Sequence, residues 1–225
     1  MIEFKQINKS YSDGLVLSDI NLTVNDGEFI TFVGRSGVGK TTIFRLLIGE
    51  EKPDSGELIV NGCNVEKLSK SRIPYYRRKL GVVFQDFKLL SRKTVYENVA
   101  FTLVVSGASN KKIKELVPQA IGLVGLSGKE ERFPHELSGG EQQRCAIARA
   151  IVHQPKILIA DELTGDLDAI YSWEIMEILL RINKLGNTVL IATHDRDIVN
   201  RLNKRVITME NGKIAKDQRV GHYMI

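Results

Sequence analysis

The chain has 225 residues, of which 43% are hydrophobic and 26% are charged, and its formal net charge is +5. This length suits one folded domain with a buried core, and the scattered positive excess does not by itself indicate a nucleic-acid partner. No apolar run approaches the roughly 18 residues of a membrane-spanning helix, so we expect no membrane span and no leader peptide.

The two cysteines indicate the redox environment. Cys63 and Cys145 lie far apart and form no metal-binding pattern. We therefore expect free, buried thiols in a reducing compartment, the cytoplasm.

Short apolar runs predict β-strands, and helical patterns separate several of them. The predicted strands are residues 2–7, 29–33, 58–60, 82–84, 157–160, 189–192 and 206–209. Residues 94–151 carry helical periodicity without a convincing strand, whereas strands alternate with helices after them, as in the amphipathic stretch 173–185. We predict an α/β fold with a mostly parallel sheet, in one domain spanning residues 1–225 with a helical insert at about 86–154.

A glycine-rich loop follows the second predicted strand. Residues 34–41 read GRSGVGKT and match G-x-x-x-x-G-K-[ST] between a strand and a helix. In this pattern backbone N–H groups surround nucleotide phosphates, so we expect Lys40 to bind the β- and γ-phosphates, Thr41 to ligate Mg²⁺ and Thr42 to add a hydrogen bond. The other loop residues contribute mainly backbone groups: Gly34, Arg35, Ser36, Gly37, Val38 and Gly39.

Polar side chains end three of the predicted strands. One wholly apolar strand runs into Asp161 and Glu162, and two others lead to Gln85 and His194. Ligands of open α/β sheets bind at the carboxyl ends of the strands. Because neighbouring strand residues point to opposite faces, we expect Asp161 to face Mg²⁺ and Glu162 to act on an attacking water as general base. Gln85 and His194 are candidates for the γ-phosphate. Each alone is better explained as a polar residue that ends a strand, but three strand ends that converge on one edge favour the phosphate role.

Residues 137–144 read LSGGEQQR and open an amphipathic helix. Ser138 is the predicted N-cap, and Glu141 completes a capping box. A cap alone does not explain Gly139 and Gly140, since glycine is a poor helix former. These glycines leave the first-turn N–H groups bare, which predicts a second anion site.

Together these segments resemble the motifs of the ATP-binding cassette (ABC) ATPases over essentially the whole chain. The resemblance implies a P-loop NTPase fold with an N-terminal antiparallel β subdomain and a helical insert, ATP and Mg²⁺ as ligands, and ATP hydrolysis as the activity. Residues 34–42 resemble the Walker A loop, Asp161 ends the Walker B strand, and Glu162 is similar to the catalytic glutamate. The resemblance further places Gln85 in the Q-loop beside the metal, Asp168 in the D-loop, His194 as the switch histidine and Tyr11 as the aromatic that stacks on adenine.

The family resemblance also implies a head-to-tail homodimer with ATP sandwiched between the subunits. Ser138, Gly139 and Gly140 of one subunit would complete the Walker A site of the other, and Asp168 would lie near the interface. Two positions depart from the family pattern: Leu163 stands where proline is usual, and Asp166 where asparagine is common. Neither departure removes a reacting group, so we expect both to bear on the turnover rate.

Residues 73–101 resemble the FtsE-type family of bacterial cell-division ATPases. This resemblance implies a peripheral protein at the cytoplasmic face of the cell membrane, which docks on an FtsX-like integral membrane protein and signals to cell-wall hydrolases. ATPases of lipoprotein-releasing or macrolide-type exporters remain the alternative. A soluble nucleic-acid-linked ABC ATPase is less favoured, because the sequence lacks coiled coils, zinc insertions and a duplicated cassette.

The membrane partner is expected to contact residues 85–90 and the helix start near Tyr96. We expect Phe87, Leu89 and Leu90 to be exposed in this predicted loop as an apolar cluster, which favours a docking site. The alternative is that these side chains anchor the helical insert to the core.

Overall fold

The computed structural model describes residues 1–12, 14–84, 86–163, 169–221 and 223. These residues form ten β-strands and seven α-helices, which are arranged as two sheets with helices packed on the larger one. The architecture is the α/β cassette fold that the family resemblance implied.

The smaller sheet is antiparallel and includes the N-terminal strands. It consists of β1 (Ile2–Tyr11), β2 (Gly14–Val24), β4 (Ser55–Val60) and β5 (Cys63–Asn64), in the order β2-β1-β4-β5. The apolar runs predicted parts of β1 and β4 but missed β2 and β5. In β2 the sequence GLVLSDINLTV is interrupted by Asp19, whose φ of 50° lies in the left-handed region, so the strand lacks a regular two-residue pattern.

The larger sheet forms the core and is parallel except at one edge. Its strands are β3 (Phe29–Val33), β6 (Leu80–Val83), β7 (Ile157–Asp161), β8 (Thr188–Ala192), β9 (Arg205–Glu210) and β10 (Lys213–Gln218), in the order β10-β9-β3-β8-β7-β6. All of these except β10 were predicted. The missed strand KIAKDQ pairs antiparallel at the sheet edge, where polar residues are tolerated on both faces.

The helices are α1 (Lys40–Leu47), α2 (Ile73–Arg77), α3 (Val95–Val105), α4 (Asn110–Leu123), α5 (Gly139–Ile151), α6 (Ala169–Lys184) and α7 (Arg196–Leu202). Three of them, α3 to α5, lie between β6 and β7, in the stretch predicted to be helical. Capping boxes at Thr94 and Ser138 begin α3 and α5, because each hydroxyl accepts the amide of a glutamate three residues later. Within the described ranges, none of the helices is long and apolar enough to cross a bilayer.

The core sheet separates two hydrophobic clusters. Leu158 and Ala160 of β7 point into a cluster with α3 to α6, whereas Ile157 and Ile159 point into a cluster with α1 and the antiparallel sheet. This alternation follows from the two-residue period of a strand that is buried on both faces.

The two cysteines are free, as expected, but only one is fully buried. Cys145 packs inside α5, where burial raises the pKa of its thiol to about 11. Cys63 is half-buried, so the expectation of two buried thiols is wrong for this residue. It lies in the short strand β5, which pairs with β4 at the end of the smaller sheet.

Candidate nucleotide-binding site

Three parallel strands bring their carboxyl ends to one edge of the core sheet. Ala192 at the end of β8 pairs with Phe32 of β3 on one side and with Asp161 of β7 on the other. Two hydrogen bonds continue this register past the strands, from Thr193 N to Phe32 O (3.2 Å) and from Glu162 N to Ala192 O (3.1 Å). The glycine-rich loop, the carboxylates and the segment leading to His194 therefore leave the sheet side by side.

The glycine-rich loop is shaped by close backbone approaches. A Cβ atom on Gly34 would lie 2.6 Å from the carbonyl oxygen of Met209, and one on Gly39 would lie 2.6 Å from Leu17 Cδ2. Gly39 also has a φ of 107° and precedes α1 without a side-chain cap. The first-turn N–H groups of α1 therefore have no side-chain acceptor at the N-cap, which suits an anion.

Lys40 is buried in the loop and points back into it. Its Nζ donates hydrogen bonds to Gly34 O (2.8 Å) and Arg35 O (3.1 Å), and the residue is only 5% exposed. Burial lowers the pKa of the ammonium, while the charges of Glu162 and Asp161 act in the opposite direction. A cation with two neutral acceptors in a desolvated loop is well placed to bind an anion.

Asp161 and Thr41 meet beside this lysine. Burial raises the pKa of the Asp161 carboxyl, and a hydrogen bond with the Thr41 side chain partly offsets this rise. Oxygen Oδ1 of Asp161 is buried and has no hydrogen-bond partner. An unpaired, desolvated carboxylate oxygen next to a hydroxyl is a fitting pair of ligands for a hard divalent cation.

A turn of the backbone at Glu162, and not strand alternation, separates its carboxylate from that of Asp161. Strand β7 ends at Asp161, and Glu162 adopts a φ of 48° in the left-handed region. The expectation that alternation along a strand separates the two carboxylates is therefore wrong; a backbone turn separates them. Left-handed backbone is costly for a residue with a Cβ atom, and such strain concentrates at functional sites.

His194 lies beside Glu162 across the strand ends. Its Nδ1 is 3.9 Å from Glu162 Oε1, which is too long for a hydrogen bond, and its side chain is 61% exposed. The histidine and the glutamate therefore face a common open space. The other γ-phosphate candidate, Gln85, lies outside the described residues.

Tyr11 ends β1 close to the start of α1. Its hydroxyl donates a hydrogen bond to Glu51 Oε2, and Lys9 Nζ lies 5.4 Å from the ring centroid. Burial and the Glu51 carboxylate raise the pKa of the phenol, while Thr42 and Arg45 lower it. The ring is thus held near Thr42 and remains 37% exposed, which leaves area for a planar ligand.

Ser138, Gly139 and Gly140 stand apart from the glycine-rich loop. The Ser138 hydroxyl accepts the amide of Glu141 (3.3 Å), whose carboxylate in turn accepts the amide of Ser138 (3.0 Å). In the described part of the chain, no hydrogen bond or ion pair joins this helix start to residues 34–42. A Cβ atom on Gly140 would lie 3.4 Å from the Tyr171 ring, so glycine permits close packing there.

Of the two positions that depart from the family pattern, the described residues include Leu163 but not Asp166. Leu163 is 5% exposed and packs in the cluster with α3 to α6, so a hydrophobic contact occupies the position where proline is usual. Asp166 and Asp168 lie outside the described residues.

The loop after Gln85 differs from the sequence expectation. Phe87, Leu89 and Leu90 are half-buried, and the first two pack against the cluster with α3 to α6. The expectation of an exposed apolar cluster is therefore wrong, because the insert covers these side chains. Sequence reasoning also missed Arg149, which donates hydrogen bonds to Phe87 O and Lys88 O, since nothing in a single sequence links positions about 60 apart.

Comparison with known families gives one match that covers most of the chain. The model of the ABC transporter family matches residues 17–165. This range contains the glycine-rich loop, the helix start at Ser138 and the Asp161–Glu162 pair.

Curated relatives are similar over nearly their whole length. The chain is 51% identical over 224 residues to a protein of Streptococcus pneumoniae named cell division ATP-binding protein FtsE, with 99% of this chain and 97% of the relative covered. Proteins of the same name from Bacillus subtilis and Escherichia coli are 48% and 40% identical, with 98% and 100% of their lengths covered.

Solved structures of cassettes are also similar. A dimeric ATP-binding cassette, MJ0796, in a post-hydrolysis state with ADP and Pi has a TM-score of 0.88 at 30% identity, with 99% of this chain and 100% of that chain covered. The cbiO1 protein of Clostridium perfringens, part of the ABC transporter complex cbiONQ, has a TM-score of 0.90 at 35% identity, with 97% and 88% covered.

Proposed function

Because the chain belongs to the ABC transporter family of ATP-hydrolysing cassettes, we propose that it is the ATPase subunit of an FtsE–FtsX-type membrane complex in bacterial cell division. The observation that carries this proposal is the identity of 48–51% over 97–98% of relatives named cell division ATP-binding protein FtsE. Solved cassettes that carry other names share 30–35%. In this role ATP hydrolysis drives a conformational signal across the membrane to cell-wall hydrolases.

The chemistry of the site follows from where charge develops. Lys40 binds the β- and γ-phosphates, because its buried ammonium gains anionic acceptors in place of two carbonyls. Glu162 orients the attacking water and accepts its proton, and His194 with Gln85 stabilises the γ-phosphate. Tyr11 stacks on the adenine. Phosphoryl transfer needs mainly positioning and charge stabilisation, which this set of residues supplies.

The residues beside Lys40 fit a magnesium ion. Thr41 and Asp161 would hold it, together with Gln85, and the unpartnered Asp161 Oδ1 supports this assignment. When bound, Mg²⁺ supplies charge neutralisation at the phosphates. Burial raises the pKa of the Asp161 carboxyl, and a bound cation would compensate for this lost hydration.

The active unit is a homodimer with two-fold symmetry. Each site combines residues 34–42 of one subunit with Ser138, Gly139 and Gly140 of the other, and Asp168 couples the two sites. The separation of these two regions within one chain supports the proposal, as does the dimeric state of the solved MJ0796 cassette. Residues 1–225 act as one ATPase domain in which 86–154 form the helical insert.

The protein works at the cytoplasmic face of the cell membrane by docking on an FtsX-like integral membrane protein. Residues 85–90 and the start of α3 near Tyr96 form the docking region, since they join the nucleotide site to the insert. The half-buried Phe87 and Leu89 mean that this loop moves with the insert rather than independently.

Trapping the dimer tests the catalytic proposal. Glu162→Gln should keep ATP binding but lower turnover by roughly 10²–10⁴, the usual contribution of a positioned base. ATP should then drive the variant into a dimer visible by light scattering, and wild-type turnover should rise more steeply than linearly with protein concentration. Linear scaling without an ATP-dependent dimer would refute completion of the site in trans.

Depletion in the source bacterium tests the cellular role. Loss of the chain should give division defects that are corrected by the wild type and not by Glu162→Gln. Normal division combined with retained lipoproteins or with macrolide sensitivity would instead assign the chain to an exporter.

A further inference from the structure

Arg149 connects three parts of the fold. From the last turns of α5, its Nη1 donates to Lys88 O (2.6 Å) and its Nη2 donates to Phe87 O (2.7 Å). Its own carbonyl oxygen accepts a hydrogen bond from Thr102 Oγ1 of α3 (3.2 Å). One residue therefore joins α5, α3 and residues 86–90, which we call the junction loop.

The two carbonyls that Arg149 binds belong to residues with unusual backbone. Phe87 and Lys88 have φ values of 52° and 47°, so two consecutive non-glycine residues are left-handed. Such a conformation persists only where surrounding contacts hold it. The planar fork of a guanidinium suits two adjacent acceptors, whereas the ammonium of a lysine does not.

The acceptors that the described residues offer the Arg149 guanidinium are carbonyl oxygens rather than carboxylates. In the described ranges Arg149 forms no ion pair, and burial lowers its pKa, opposed by the nearby Cys145 thiol. The two carbonyls are thus its main compensation for lost hydration, and leaving them would strand a half-buried charge. Movement of the junction loop is therefore expected to carry Arg149, and with it α5.

The junction loop also lies beside the nucleotide site. Lys88 lines a small cavity of about 130 Å³ together with Thr41 and Asp161, and its Nζ lies 4.0 Å from the centroid of the Phe84 ring. At the other end of α5 lie Ser138 and the two glycines that follow it. A single rigid helix therefore runs between this loop and the second anion site.

We propose that Arg149 is a positioning residue that fixes the junction loop to α5, so that ATP bound at residues 34–42 sets the orientation of Ser138–Gly140 presented to the partner subunit. The proposal rests on the dimeric mechanism above but concerns a separate step. If the Glu162→Gln protein fails to dimerise while Arg149 is intact, that mechanism is contradicted. A failure to dimerise that appears only when Arg149 is also replaced concerns this proposal instead.

The test compares Arg149→Met, which has similar length without the fork, with Arg149→Lys, which keeps the charge. Arg181→Met, at an exposed arginine of α6, is the matched control. Arg149→Met should leave the ATP dissociation constant within about twofold and lower kcat about tenfold, with Arg149→Lys in between. If Arg149→Met and Arg149→Lys instead lost ATP affinity and thermal stability to the same extent, Arg149 would have only a structural role. That result would overturn the proposal.

Hydrogen exchange in the Glu162→Gln background reads out the coupling directly. With Arg149 present, ATP should protect residues 86–90 and 138–142 together; with Arg149→Met, protection should remain at 86–90 and be lost at 138–142. Adding Lys88→Gly should not restore it, although glycine adopts a φ of 47° without strain. Restoration by Lys88→Gly would show that Arg149 only supports the loop backbone, and would overturn the proposal.

Discussion

Replacing Asn98 by leucine should destabilise the protein by about 1–2 kcal/mol, because this buried amide holds the loop before α3. Asn98 is 0% exposed. Its Oδ1 accepts from Leu90 N (2.8 Å), and its Nδ2 donates to the carbonyls of Leu90 (3.1 Å), Lys93 (2.9 Å) and Thr94 (3.0 Å). The side chain thus replaces a turn of secondary structure for residues 90–94.

The size of this loss of stability follows from the hydrogen bonds of Asn98 that leucine cannot form. Two amide hydrogens shared among three carbonyls plus one accepted bond amount to roughly three full hydrogen bonds, each worth about 1 kcal/mol net. Thr94 O keeps the amide of residue 98 as a donor, whereas the amide of Leu90 loses its side-chain partner. Burying the leucine side chain returns about 1–2 kcal/mol.

Urea denaturation of the purified protein measures this change, and a thermal scan should show a fall in melting temperature of roughly 2–8 °C for a chain of this size. Exchange of the Leu90 amide should accelerate more than that of the β7 amides. Asn110→Leu, at the exposed first residue of α4, is the control and should stay within about 0.5 kcal/mol of the wild type. A loss at Asn98 equal to that of the control would refute the reasoning.

Two further predictions concern the nucleotide site. Lys40→Ala should weaken ATP binding by roughly 10–100-fold, because charge-assisted hydrogen bonds contribute about 1.5–3 kcal/mol; unchanged affinity by calorimetric titration would contradict its assigned role. Asp161→Asn should abolish Mg²⁺-dependent hydrolysis yet raise the urea midpoint at pH 7. Burial raises the pKa of Asp161 in the fold, so its ionisation costs stability at neutral pH, and this cost is lost as pH falls through the folded pKa. The gain from Asp161→Asn should therefore shrink in acid, and a midpoint difference independent of pH would contradict this.

Local chemistry made several parts of the site predictable. The segment GRSGVGKT specifies its own conformation, because a few consecutive residues supply the turn, the N–H groups and the lysine. The capping box of Ser138 and Glu141 is likewise complete within four residues, and it is confirmed. The buried strands β3, β7 and β8 were found because a strand covered on both faces must be apolar throughout.

The tertiary structure decided what depends on distant partners. The turn that separates Glu162 from Asp161 is held by Ala192 O on the neighbouring strand, and the Tyr11 hydroxyl is held by Glu51, 40 residues away. Arg149 reaches Phe87 across 62 positions. Such pairs are set by how packed elements meet, and a single sequence records the residues but not which of them come together. The sequence by itself therefore determined the chemistry of the loop and the helix start, whereas the fold alone determined how they are connected.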